Sequence, residues 1–321
     1  MHFPCRDGER KWLRIQNERI VKRPSPLQNN DKAVIVSPSG NIDQYIVEDA
    51  VAVLEGWGLQ AEIGPHALGE NGRFSGTVLE RLRDLQQAFD DPSVRLILCS
   101  RGGYGMVHLL PQLDFSTIRR NPKWVVGYSD ITALHATLQY HGVASLHGPM
   151  AAHFSLEGPD DVSTRYTKSI LAGQPVDYTI PVGEERPLNR FGIAQGRLFG
   201  GNLAVFCSIL GSRYAHVPRG GILFIEDIAE VPYRVDRMIH QLKLAGVFDR
   251  IGGLIVGRFT EYEEDDLMYR PLYESIRQAV DEYNFPVAFG FPVGHVKLNF
   301  PLIMGERATL SVNHDSLTLK Q

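Results

Sequence analysis

Short apolar runs alternate with stretches in which apolar residues recur every three or four positions, and this alternation organises the chain from about residue 32 to residue 150. Lys32-Ala33-Val34-Ile35-Val36 predicts a strand, and Ile46, Val47, Ala50, Val51 and Leu54 predict a helix that stops at Gly56-Trp57-Gly58. Leu79, Leu82, Leu85 and Phe89 mark a second amphipathic helix, closed by Asp91-Pro92. A strand from Val94 to Cys99, the loop Ser100-Arg101-Gly102-Gly103-Tyr104-Gly105 and a helix through Leu110 come next. Lys123-Trp124-Val125-Val126 reads as a buried parallel strand, and Ile131, Leu134 and Leu138 as the helix after it. Strands and helices of these lengths imply right-handed βαβ units and a mostly parallel sheet. Working sites in such sheets lie beyond the carboxyl ends of the strands, where Ser39-Gly40, Arg101 to Gly105 and Ser129 all fall.

The alternation fades from Ala151 to about Arg190 into a polar connection containing Pro and Gly. It resumes near Gly192, where Gly196 to Asn202 leads into an apolar helix. The strand Gly221-Ile222-Leu223-Phe224-Ile225 is expected to end at Glu226-Asp227, followed by a helix through Val235, Met238, Ile239, Leu242 and Leu244 that stops at Gly246. Gly253 to Val256 and Pro286 to Phe289 are strand-like, and the last residues alternate as a hairpin around Asn313-His314-Asp315. The organisation expected is an N-terminal extension (1–23), an N-terminal α/β domain (24–150), an inter-domain connection (151–190) and a C-terminal domain (191–321).

Composition narrows the classes. The 321 residues are 43% apolar and 22% charged, as in soluble globular proteins. A net charge of −4 without a long basic run argues against nucleic acid as a partner, and no apolar run reaches the roughly 18 residues of a membrane span. Cys5, Cys99 and Cys207 are odd in number and far apart, which argues against a disulfide framework; Cys99 and Cys207 sit in apolar runs and read as core residues. Residues 1–23 mix both charges without an apolar segment, so the expected compartment is the cytoplasm.

The candidate chemistry centres on Gly127-Tyr128-Ser129-Asp130, which places a serine where a buried strand turns into a helix. A small residue two places earlier permits a tight turn that projects the hydroxyl above the sheet, the mechanics of a nucleophile elbow. Ile131 stands where the hydrolase pattern has its second glycine, and helix capping by Ser129 or Asp130 is the competing explanation. A serine nucleophile needs a base, a group to orient it and donors for the oxyanion. His295 lies in the glycine-flanked loop Gly290 to His295, and Glu226 follows an apolar strand where a lone carboxylate would be costly. Their competing explanations are a surface histidine and an acidic helix start with Asp227 as its cap. The glycines of Arg101 to Gly105 suit an oxyanion hole, a phosphate cradle or simply a tight turn; they match neither the dinucleotide fingerprint nor a P-loop. His135, His141, His147 and His153 recur every six residues, a spacing that shares no helix face, so no metal and no cofactor is expected.

Seven segments in order resemble the murein L,D-carboxypeptidases, a serine-peptidase family that includes microcin C resistance peptidases. They are Val36 to Gly40, Arg101 to Gly105, Gly127 to Thr132, His147 to Met150, Gly200 to Leu203, Ile225 to Asp227 and Gly294-His295. The resemblance runs from about Pro24 onward. It implies an N-terminal α/β domain, a C-terminal domain with barrel-like character, an active site between them and a homodimer. It also implies Ser129 as nucleophile, His295 as base, Glu226 as the residue orienting it, and the N–H groups of Asp130 and Gly103 as oxyanion donors. The expected substrate is a murein tetrapeptide losing its terminal D-alanine, with Arg101 as candidate for the terminal carboxylate against a structural salt bridge. The alternatives are a peptidase cleaving an amide in a peptidyl or aminoacyl nucleotide, a non-catalytic small-molecule binding module, and a dehydrogenase, which the missing fingerprint disfavours.

Overall fold

The computed structural model describes residues 20–321. Its first half comprises β1 (Lys32–Val36), α1 (Gln44–Gly56), β2 (Gln60–Ile63), α2 (Val78–Asp90), β3 (Val94–Cys99), α3 (Met106–Leu109), α4 (Ser116–Arg120), β4 (Trp124–Gly127), α5 (Thr132–Tyr140) and β5 (Ser145–His147). The second half comprises α6 (Ala151–Glu157), α7 (Val162–Leu171), β6 (Asp177–Pro181), β7 (Gly192–Asn202), α8 (Leu203–Ile209), β8 (Ile222–Ile228), α9 (Pro232–Leu244), β9 (Gly253–Thr260), α10 (Leu272–Ala279), β10 (Val287–Phe289), β11 (Leu302–Met304), β12 (Arg307–Val312) and β13 (Ser316–Lys320).

Two sheets form, as an α/β chain of this pattern requires. The first has the order β11-β5-β4-β3-β1-β2; β1 to β5 are parallel, and β11 returns from the C-terminal part to pair antiparallel with β5. Strand order reverses between β1 and β3, so their C-terminal loops splay apart and leave a crevice beside β4. The second sheet has the order β10-β9-β8-β7-β12-β13-β6; its first four strands are parallel and the remainder antiparallel. The expected C-terminal hairpin is the β12–β13 pair.

Strand alternation sorts side chains between cores. Leu96, Leu98, Trp124 and Val126 face a core shared with Leu198, Ile222, Phe224 and Ile255 of the second sheet. Ile97, Cys99 and Val125 face α2, α3 and α5 on the other side, while Leu223, Ile225, Leu254 and Val256 pack under α9 and α10. The two sheets thus share one apolar layer, and the site is built at its edge.

Local details differ from expectation. The segment 151–190, where the alternation was expected to fade, carries α6, α7 and β6; α7 was hidden because its buried face includes Ser163, Thr164 and Thr167. The helix after the glycine loop ends at Leu109, and α4 follows as a separate turn. Leu79 is 51% exposed, because α2 turns Arg81 and Asp84 inward with Leu85, Ala88 and Phe89. Residues 1–19 of the expected extension, with Cys5, lie outside the described residues, whereas Lys22 pairs with Val143.

The sheets are also joined by polar contacts at the head of α5. The Asn202 N–H donates to Thr132 Oγ1 at 3.0 Å, and Gly201 leaves no room there for a side chain, since a Cβ would stand 2.5 Å from the same oxygen. Thr132→Val keeps the shape and removes the acceptor, leaving a buried N–H unpaired at a cost of about 1–3 kcal/mol. Urea unfolding should show that loss, and an unchanged midpoint would mean that the contact adds nothing to the joint.

Candidate active site

The turn after β4 is held open for Ser129. Its φ is 64°, a left-handed conformation that a non-glycine residue adopts only when its surroundings impose it. Gly127 is required because a Cβ there would stand 2.9 Å from Ile131 Cγ1 and 3.2 Å from Cys99 Cβ. The Gly127 carbonyl accepts from His135 Nε2–H at 2.8 Å and from Gly148 N–H at 3.1 Å. His135 Nδ1 must then accept the Ser145 hydroxyl, 2.8 Å away, and burial pushes the His135 pKa down to about 4, which keeps the ring neutral. Neither Ser129 nor Asp130 caps the following helix with its side chain, and Ile131, in place of the second elbow glycine, is buried in the core.

Asp130 instead ties the neighbouring loops together. Its Oδ2 accepts the Ser39 hydroxyl at 2.6 Å and the Met106 N–H at 2.8 Å, joining the loops after β1 and β3 to the serine turn. Burial raises its pKa, against the pull of those two bonds and of nearby Arg81. Arg81, turned inward from α2, donates to Pro38 O at 2.6 Å and Gly105 O at 3.2 Å. Gly40 N–H donates to Gly102 O at 3.1 Å. The glycine loop therefore lies on Ser129: a Cβ at Gly102 would stand 2.7 Å from Ser129 Cβ and 2.8 Å from Oγ. The N–H groups of Asp130 and Gly103 make no hydrogen bond among the described residues and so are available to a ligand. Arg101 is exposed, donates to Asn41 O at 3.3 Å, and forms no salt bridge among the described residues.

The second sheet and the loop after β10 supply Glu226 and His295. Glu226 does not end its strand: β8 continues to Ile228, with a register shift against β9 between Ile225 and Asp227. The carboxylate is fully buried, and its Oε2 accepts from His295 Nδ1 at 2.8 Å. That bond assigns the proton to Nδ1 and leaves Nε2 as the basic nitrogen. Gly294 has φ 123°, and a Cβ on it would stand 2.8 Å from Glu226 Oε2, so only glycine lets the loop approach the carboxylate. Burial pushes the His295 pKa down, but the hydrogen bond and charge of Glu226, with Asp227 and Glu261, outweigh it and raise the pKa above its ordinary value. Asp227 caps α8 rather than the helix that follows it, accepting from Asn202 Nδ2 at 2.7 Å and from Ala204 N–H at 2.9 Å. Burial lifts its pKa to about 6.

The two halves meet at Tyr128, whose ring packs edge-on against His295 with centroids 4.9 Å apart. Ser129 is its chain neighbour, and Ser129 Oγ has no hydrogen-bond partner among the described residues. Tyr128, Asn202 and the inward Arg81 were not singled out from sequence; only Asn202 carried a signal, through the Gly-Gly-Asn run that ends β7. Of the evenly spaced histidines, His135 and His147 meet, with ring centroids 6.4 Å apart, the first bonded to the elbow and the second against Phe224, whereas His141 stacks on Phe115 and His153 bonds to Asp161 at 3.0 Å. Among the described residues no helix is long and apolar enough to cross a membrane.

Loops at the switch point of a parallel sheet, closed over by a carboxylate–imidazole pair from a second sheet, place the molecule among the α/β enzymes. Residues 34–148 match the LD-carboxypeptidase N-terminal domain and residues 195–310 the LD-carboxypeptidase C-terminal domain. The chain belongs to the LD-carboxypeptidase family and is a peptidase. It is 33% identical over 297 residues to a probable murein peptide carboxypeptidase of Bacillus subtilis, covering 90% of this chain and 91% of that one. The crystal structure of muramoyltetrapeptide carboxypeptidase from Oxalobacter formigenes matches with a TM-score of 0.82 at 28% identity, over 90% of this chain and 98% of that one. The microcin C7 self-immunity protein MccF of Escherichia coli is 28% identical over 275 residues, 77% of this chain and 80% of that one.

The tight fit at Gly102 yields a direct test. Gly102→Ala must displace Ser129 or the glycine loop, and a shift near 1 Å at a reacting atom costs about 10²-fold in rate. Peptidase activity should fall by that order, and an unimpaired variant would mean that the loop does not set the position of the serine.

Proposed function

We propose that this chain is a serine L,D-carboxypeptidase that releases the terminal D-alanine of a murein tetrapeptide through an acyl-enzyme. The observation that carries the proposal is the buried Glu226 carboxylate on His295 Nδ1, which leaves Nε2 free to take a proton beside the turn bearing Ser129. His295 Nε2 removes the Ser129 proton as Oγ attacks the carbonyl of the L-centre in the third stem residue. The N–H groups of Asp130 and Gly103 receive the oxyanion. The tetrahedral adduct collapses, and His295 returns the proton to the amine of departing D-alanine. Water then attacks the ester with the same base, regenerating Ser129 and releasing the tripeptide. Glu226 stabilises the imidazolium and fixes its tautomer. Arg101, a guanidinium without a carboxylate partner among the described residues, is assigned to the terminal carboxylate. The homodimer rests on the family resemblance alone.

The similarity to the microcin C7 self-immunity protein favours a second reading, cleavage of an amide in a peptidyl or aminoacyl nucleotide by the same three residues. Incubation with murein tri-, tetra- and pentapeptides and with an aminoacyl nucleotide analogue separates the two. Release of D-alanine from the tetrapeptide alone is expected; cleavage of the nucleotide conjugate alone would reverse the assignment. Ser129→Ala should keep the fold and lose on the order of 10⁶ in kcat. Retention of D-alanine release by that variant would remove Ser129 from the chemistry.

The pH profile tests the acid. His295 must be neutral to accept a proton, and its pKa lies above the ordinary 6.5, so kcat/KM should rise with pH through a value above that. Glu226→Gln removes the charge that lifts this pKa. The ascending limb should move to lower pH while kcat drops by roughly 10⁴, as for other triad acids. A limb that stays in place would show that Glu226 does not act on the base.

A further inference from the structure

The loop that presents His295 is fixed four residues later, at Asn299. Gly294 N–H donates to Asn299 Oδ1 at 3.0 Å, and Asn299 N–H donates to Ser163 Oγ at 3.0 Å, near the start of α7. Ser163 Oγ in turn donates to Lys297 O at 3.3 Å. Because Gly294 N–H requires an acceptor, the orientation of the Asn299 amide is determined and Nδ2 points away from that bond. Gly294 itself lies on Glu226, with the direction of its missing Cβ aimed 2.8 Å from Oε2 and 2.9 Å from the Glu226 Cβ.

Two buried polar atoms flanking Gly294 have no partner among the described residues: Asn299 Nδ2 and Glu226 Oε1. Glu226 is 0% exposed and Asn299 1%. One atom is a donor and the other an acceptor that carries charge. A buried carboxylate oxygen without a donor is among the costliest groups a fold can hold.

We propose that Asn299 is a positioning residue for the Glu226–His295 pair: it locks the His295 loop onto the carboxylate through Gly294. Asn299 touches no reacting atom and acts only by holding Glu226 in the orientation in which Oε2 meets Nδ1. The inference deepens the proposed function, since it assigns a support to the same pair. The groups facing His295 are Glu226 and Asp227 from β8, Glu261 beyond β9, and the uncharged Tyr128 and His147 from the first sheet; Asn299 reaches the loop through Gly294.

NMR titration of the His295 ring tests this without any substrate, in the wild-type chain, Asn299→Ala, Glu226→Gln and the double variant. Asn299→Ala should lower the His295 pKa by about one unit, because the carboxylate no longer holds its orientation. In the Glu226→Gln background the same substitution should leave the pKa almost unchanged, since the charge it positions is gone. An unshifted pKa in Asn299→Ala, or equal shifts in both backgrounds, overturns the proposal. If Asn299→Ala does not fold, Asn299→Ser keeps a polar group at the position but is too short for Gly294 N–H, and the same two outcomes decide. Failure of the wild-type chain to release D-alanine from tetrapeptide would sink the proposed substrate and leave this titration cycle interpretable.

Discussion

A carboxylate with no exposure to water is the constraint on which the site depends. Glu226 sits inside a buried strand after the apolar run Ile222 to Ile225, where an unpaired charge would be expelled or neutralised. Its hydrogen bond to His295 is therefore a condition of burial before it is anything else. The bond forces the chain after β10 to pass directly over the strand, which only Gly294 can do at that distance. It also raises the proton affinity of the imidazole, so the structural solution for Glu226 is the same interaction that tunes His295.

The side that carries Ser129 solves a different problem, the convergence of three loops that a twisted sheet would otherwise spread apart. Each follows a separate strand, and the apolar layer beneath them fixes the strands but not the loop tips. A buried polar cluster does that work. Asp130 accepts from the loop after β1 and from the start of α3, and Arg81 reaches the backbone of both loops from α2. Burial makes these bonds strong and makes the loss of any one costly, because the partner left behind has no water to turn to. The left-handed Ser129 is tolerable within such a frame and would relax without it.

The strands, the two-sheet division and the carboxyl-end location of the loops were legible because they follow from periodicity and chain direction. Glu226 and His295 stood out for the same physical reason that makes them consequential: one is charged beside an apolar strand, the other lies among glycines. What periodicity concealed were polar residues turned inward. Arg81 and Asp84 displace Leu79 from the buried face of α2, and Ser163, Thr164 and Thr167 gave α7 the composition of a loop. Glu226 was misplaced by one structural detail, since β8 carries a register shift where the sequence reads as a strand end. Asn299 left no sequence signal at all, because its role arises from where the loop returns.

Several departures from local rules lie around Tyr128 and His295: the left-handed Ser129, the Glu226 oxygen and the His147 nitrogens without partners among the described residues, and Gly102 and Gly294, which admit no side chain. The fold nonetheless does not choose the substrate, because relatives named for murein peptides and for microcin immunity share it. Discrimination must then fall to groups that the frame leaves exposed, as the Arg101 proposed for the terminal carboxylate is: its guanidinium has no carboxylate partner among the described residues.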